Sequence, residues 1–208
     1  MANLILFLGL VFSYIIGSIP TGYIFGRLIK GIDIRQFGSG NVGATNTLRV
    51  IGRLPGLMVL AIDIFKGFLC VAYVAGLFMH ISPVARPELY RVLIGLAVIA
   101  GHNWTIFLGF KGGKGVATSA GVVIGLAPNI FWLAFLVWLI TFLITGYVSM
   151  ASILASISLP IFMFISNQPA ELIIFVSVLC LAIVYKHRPN IRRLKNREEK
   201  KISLFRKK

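Results

Sequence analysis

The sequence predicts an all-α integral membrane protein with about seven transmembrane helices, its N-terminus outside and its C-terminus cytoplasmic. Three observations carry this. Of 208 residues, 58% are hydrophobic and 13% charged, whereas soluble domains run near 45–50% apolar and about 25% charged. The mean hydropathy is +0.90. The charged residues cluster on one side of a regular series of apolar runs, and these numbers exclude a disordered, collagenous or coiled-coil chain.

The apolar runs fall at 4–26, 54–78, 89–104, 116–127, 130–144, 148–166 and 171–185. A spanning helix needs about 20 predominantly apolar residues, so the chain reads as one transmembrane domain over residues 1–208. No Lys or Arg precedes the first run, and Arg27 and Lys30 follow it, which fits an uncleaved helix rather than a secretory signal. Ala127-Pro128-Asn129 divides 116–144 into two pieces, because proline disfavours helix at the residue before it. Pro160 should kink the sixth run without ending it. Residues 195–208 read as a basic cytoplasmic tail.

The net charge of +15 is not a nucleic-acid signal, because 11 of the 21 Lys and Arg lie after residue 185. With seven spans and the N-terminus outside, the inner side also receives Arg27, Lys30, Arg35, Arg49, Arg53, Lys111 and Lys114. Only Arg86 and Arg91 fall outside, and Lys66 lies within a span. This is a strong positive-inside asymmetry. Cys70 and Cys180 both sit in apolar runs, so there is neither a disulfide framework nor a metal-ligand spacing, and no cofactor is expected. No internal repeat is visible.

Three polar segments share the inner side. The first is Asp33–Asn46, followed by Arg49. It contains a literal G-x-G-x-x-G but follows a membrane helix rather than a strand, so the dinucleotide reading fails. Its glycines, Gly40 and Gly43 among them, allow backbone N–H groups to approach a phosphate, and Ser39, Asn41, Thr45 and Asn46 add hydrogen-bonding groups. The second runs from Gly101-His102-Asn103-Trp104 to Phe110–Thr118. It is not a P-loop, because Gly115 stands where a Ser or Thr is required. Gly112, Gly113 and Gly115 precede a helix start, where N–H groups and the Lys114 charge would attract an anion. His102 reads as a hydrogen-bonded interfacial residue. The third segment is Tyr185–Leu194, with His187 and Asn190 one turn apart and directly after the last span. From Lys200 onward the basic residues read as a lipid-facing tail.

Two intramembrane features complete the inventory. Asp63 and Lys66 are three apart and read as an ion pair facing the bundle interior. Ser149, Ser152 and Ser156 form a stripe that begins at the inner face, so Ser149 and Ser152 are candidate site-lining groups.

The order of these segments resembles the bacterial acyl-phosphate:glycerol-3-phosphate acyltransferase (PlsY) family. The matching stretches are FGSGNVGATN with Arg49, GHNW…FKGGKGVAT, KHRPNIRRL, and Asp63-Ile64-Phe65-Lys66-Gly67 as D-x-x-K-G. The family often has Pro where Thr105 stands. It usually has Gly before its tail glutamate, here Arg197 before Glu198. The resemblance implies transfer of a fatty acyl group from acyl phosphate to the 1-hydroxyl of glycerol 3-phosphate, giving lysophosphatidate. It implies a bacterial inner-membrane location, the bilayer as environment, and a soluble enzyme that makes the acyl phosphate as a possible partner.

On that resemblance, Ser39 and Arg49 would hold the acyl phosphate, Lys114 with its glycines a phosphate, and His187 and Asn190 the acceptor. His-x-x-x-x-Asp is absent, because Phe107, Arg192 and Ala85 stand five residues after His102, His187 and His80. Inner-side carboxylates are few. The acceptor's own phosphate, with a second pKa near 6, is therefore the expected proton acceptor. The rival reading is a transporter or channel for a small phosphorylated anion, which needs a polar path to both faces. A lipid-binding scaffold would not need three Gly/Asn-rich segments on one side.

Overall fold

The computed structural model describes residues 1–202 and is helical, with no strand among them. The chain divides into two compact units, Met1–Leu126 and a second that begins at Ala127.

In the first unit the opening run is broken in two, α1 (Ala2–Ser18) and α2 (Thr21–Lys30), at Ile19-Pro20. The cause is local: Pro20 has no N–H to donate back along the helix. Lys30 and the left-handed Gly31 end α2. Helix α3 (Ala44–Val50) follows the first polar segment, and α4 (Arg53–Leu69) continues through a π turn at Cys70–Val74 into α5 (Ala75–Ile81). The unit closes with α6 (Pro87–Asn103) and α7 (Val116–Leu126).

Small residues bring these helices together, as membrane helix packing favours. Helix α1 packs on α6 and α4 on α7. A Cβ on Gly17 would lie 2.0 Å from the Val98 carbonyl, and one on Gly121 would lie 1.9 Å from the Ile64 carbonyl. Neither approach tolerates a side chain.

The second unit contains α8 (Pro128–Thr145), α9 (Val148–Ile165), α10 (Ala170–Lys186) and α11 (Arg188–Lys195). Pro128 opens α8 at its first turn, where its missing N–H costs nothing. Pro160 lies inside α9, which continues past it. Helices α10 and α11 meet at a 55° bend.

The seven apolar runs are therefore not seven long helices. Five helices or continuous pairs are long and apolar enough to cross a membrane: Asn3–Lys30, Arg53–Ile81, Pro87–Leu108, Pro128–Thr145 and Val148–Ile165. The bent pair α10–α11 makes a sixth if counted as one span. The run at 116–127 forms the 11 residues of α7, which rise only about 17 Å against a hydrocarbon core of about 30 Å. Hydropathy registers apolarity, whereas Gly115 and Ala127-Pro128 set the length.

Candidate active site

The first polar segment is a folded loop pinned by one residue. Asn46, 1% exposed, accepts from the Ser39 N–H at 2.8 Å and donates to the carbonyls of Phe37 (3.1 Å) and Ile34 (3.3 Å). Asn41 Oδ1 accepts from the Gly43 N–H at 2.8 Å, and the Gly40 N–H donates to Phe37 O at 3.0 Å. The N–H groups of Ser39, Gly40 and Gly43 thus hold the loop itself together. Asn46 likewise acts on the loop, because its amide matches the donors and acceptors of a turn in register. Ser39 and Gly40 are exposed, while Asn41, Thr45 and Arg49 are half-buried.

At the loop's start the Arg35 guanidinium forks onto Asp33, with Nε–Oδ1 3.0 Å and Nη2–Oδ2 2.7 Å. The hydrogen bonds from Arg35 hold the Asp33 carboxyl down at about 2, against a smaller opposing effect of burial.

The second polar segment folds back on the end of α6. The Gly113 N–H donates to His102 O at 3.0 Å and the Gly112 N–H to Asn103 O at 3.3 Å. Both amides are therefore engaged by the end of α6. The close approach that glycine permits is to the chain's own backbone: a Cβ on Gly112 would lie 2.1 Å from His102 O, and one on Gly113 2.1 Å from His102 Nε2. Gly115 has φ +81°, a conformation that favours glycine. Lys114 lies between these glycines and is half-buried. Thr105 is buried; its hydroxyl caps the next turn by accepting from the Phe107 N–H at 3.3 Å.

Asp63 and Lys66 do form a buried pair, Nζ–Oδ1 2.8 Å. Lys66 Nζ also donates to His102 Nδ1 at 3.0 Å and to Ile19 O at 3.2 Å. An ammonium has no acceptor, so His102 Nδ1 accepts and the ring proton sits on Nε2.

In the second unit His187, 3% exposed, joins α10 to α11. Its Nδ1 lies 2.8 Å from the Ile183 carbonyl. A carbonyl only accepts, so Nδ1 carries a proton and the ring is held in one orientation. Asn190, one turn on, donates to Glu199 Oε1 at 2.7 Å, as does Ser149 at 2.9 Å, and Arg193 Nε donates to Oε2 at 2.7 Å. Burial pushes the Glu199 carboxyl up, but the hydrogen bonds from Arg193, Asn190 and Ser149 outweigh it and hold the group below its ordinary value.

Glu199, which Asn190 and Arg193 of the third segment meet, is the residue that sequence reasoning missed; Glu198, set against the family's tail glutamate in the sequence, is its exposed neighbour. Arg197, two residues before it, has φ +60°, a left-handed turn that favours glycine. The tail then turns back, with the Ile202 N–H on Gly146 O at 2.9 Å and Lys201 Nζ over the Tyr147 ring at 5.2 Å. Residues 199–202 are thus anchored to their own unit, and 203–208 lie outside the described residues. Ser152 is committed as well, donating to Val148 O at 2.8 Å and accepting from Trp138 Nε1 at 3.3 Å. Among the described residues no group of three or more His, Cys, Asp and Glu could hold a metal ion.

Long apolar helices ending in folded polar segments define an all-helical integral membrane protein. The glycerol-3-phosphate acyltransferase family model matches residues 7–197. A glycerol-3-phosphate acyltransferase of Chlorobium phaeobacteroides is 40% identical over 95% of this chain and 96% of its own length. Glycerol-3-phosphate acyltransferase 2 of Moorella thermoacetica is 45% identical over 94% and 96%. The crystal structure of PlsY, an integral membrane glycerol 3-phosphate acyltransferase, in its glycerol 3-phosphate form superposes with a TM-score of 0.87 at 40% identity, covering 97% of this chain and 99% of that one. The chain belongs to the glycerol-3-phosphate acyltransferase family.

Proposed function

We infer that this protein transfers a fatty acyl group from acyl phosphate to the 1-hydroxyl of glycerol 3-phosphate, releasing phosphate and giving lysophosphatidic acid. The observation that carries this is the near full-length match to the acyltransferase family, whose relatives include the glycerol 3-phosphate and lysophosphatidic acid forms of a solved structure. The same match favours an enzyme over an anion transporter. The acyl-phosphate donor follows from the motif resemblance, and a soluble enzyme that forms acyl phosphate is the natural partner.

The topology we adopt places the N-terminus outside and the polar segments in the cytoplasm of a bacterial inner membrane, on the strength of the asymmetry in Lys and Arg. Ser39 and Arg49 take the acyl phosphate, with Gly40, Asn41, Gly43, Thr45 and Asn46 shaping that loop. Lys114, set by Gly112, Gly113 and Gly115, takes a phosphate as a point charge. His187 and Asn190 position the acceptor, and Ser152 supports α9.

The acceptor hydroxyl attacks the acyl carbon, the bond to phosphate breaks, and the hydroxyl proton passes to the acceptor's own phosphate. Arg49 offsets the charge on the departing phosphate. The deciding assay supplies purified protein with labelled glycerol 3-phosphate and either acyl phosphate or acyl-CoA. Lysophosphatidic acid formed from acyl phosphate alone is the expected result, and product from acyl-CoA alone overturns the donor assignment.

A further inference from the structure

We propose that the buried Asp63–Lys66 pair of α4 is a positioning device for Lys114, acting through the ring of His102; this rests on the phosphate-binding role given to Lys114 above.

The geometry starts from a fully employed ammonium. Lys66 Nζ donates to Asp63 Oδ1 (2.8 Å), His102 Nδ1 (3.0 Å) and Ile19 O (3.2 Å), which uses all three of its N–H groups. Asp63 Oδ1 is held in turn by the Thr21 hydroxyl at 3.0 Å. The ammonium therefore ties three places together: the break between α1 and α2, α4, and the end of α6. A charge pair at 1% and 5% residue exposure persists only where such partners satisfy it.

The second half of the device is the ring itself. With Nδ1 accepting from Lys66, His102 presents its Nε2 edge to the Gly113 Cα, where an added Cβ would lie 2.1 Å away. The His102 carbonyl holds the Gly113 N–H at 3.0 Å. One residue thus grips Gly113 by backbone and by side chain, and Lys114 is the next residue in the chain. Rotating the ring would drive its edge into Gly113 or release it. The lysine donor prevents both, and it also fixes the tautomer. Nothing in bundle packing alone requires this link, because α4 already packs against α7 through Gly67 and Gly121.

A purely structural pair makes a different forecast. Replacing a buried ion pair by apolar residues of similar volume is often neutral for stability. The Asp63→Leu/Lys66→Met double variant therefore separates the two roles. Positioning predicts a folded variant with near wild-type Tm, kcat changed by less than about threefold, and a KM for one phosphate-bearing substrate raised by about tenfold. Wild-type KM values for both substrates in the folded double variant would overturn the proposal.

A second measurement decides the matter if that variant does not fold. Gly113→Ala should be strongly impaired in the wild-type background, where its methyl meets the ring, yet add little loss to His102→Ala, where the ring is gone. An equal loss in both backgrounds would also overturn it. Wild-type protein must acylate glycerol 3-phosphate in the same assay. A wild type that does not do so refutes the functional reading itself, whereas an active wild type with unaltered variants refutes only the positioning role.

Discussion

The Asn190 side-chain amide donates to the Glu199 carboxylate at 2.7 Å across nine residues of chain. Ser149 and Arg193 complete the shell around that carboxylate. The basic tail is thereby tied to α9 and α11, and the rotation of the Asn190 amide is set by a residue beyond the last helix.

Glu199→Gln should loosen this clasp. It removes the charge that Arg193 meets and sets an amide NH2 against either Arg193 or the Asn190 and Ser149 donors, a cost of about 1–3 kcal/mol. Tryptic cleavage after Lys200 and Lys201 should accelerate at neutral pH. The pH dependence follows the sign of the shift. The folded carboxyl titrates below its ordinary 4.5, so its contribution is complete above that pH and fades as pH falls through the lowered folded value. A cleavage rate equal to wild type would show that the tail is held by other contacts.

Asn46→Ala should disable the first loop with little effect elsewhere. Three hydrogen bonds are lost, including the one that fixes the Ser39 amide, at about 1 kcal/mol each. Asn46→Asp should fare no better, because a carboxylate can accept from Ser39 but cannot donate to the Ile34 and Phe37 carbonyls. Measured kcat/KM should fall in both variants. Wild-type values in either would remove the loop-pinning role.

His187→Gln tests who takes the proton. An obligatory general base would account for about 10²–10⁴-fold in rate. If His187 positions the acceptor, the folded, saturated variant keeps measurable turnover and an acidic limb in kcat near the phosphate second pKa of about 6. Disappearance of that limb would falsify phosphate-assisted transfer.

Topology can be read by labelling single cysteines at positions 39, 111 and 192, all exposed, in a background lacking Cys70 and Cys180. Each should react only after the membrane is permeabilised. Reaction in intact cells at any of the three would reverse the assignment at that segment.

The sequence alone determined the class of protein, because apolar run length and charge asymmetry are local, additive properties that need no partner. It also marked the three polar segments, and the Asp63–Lys66 pair, since three residues bring side chains to one helix face. The break at Pro128 was legible in it too, whereas the one at Pro20 lies inside a run read as one helix. What only tertiary structure decided is who uses each polar group. The N–H groups of Gly112, Gly113, Ser39 and Gly43 have partners within the chain, which no list of residues reveals, because closing a loop pairs amides from within. That Glu199 rather than Glu198 meets Ser149, Asn190 and Arg193 depends on how the tail turns back, which no spacing rule contains. The link from Lys66 to His102, 36 residues apart, exists because two helices and a broken third converge on one ammonium.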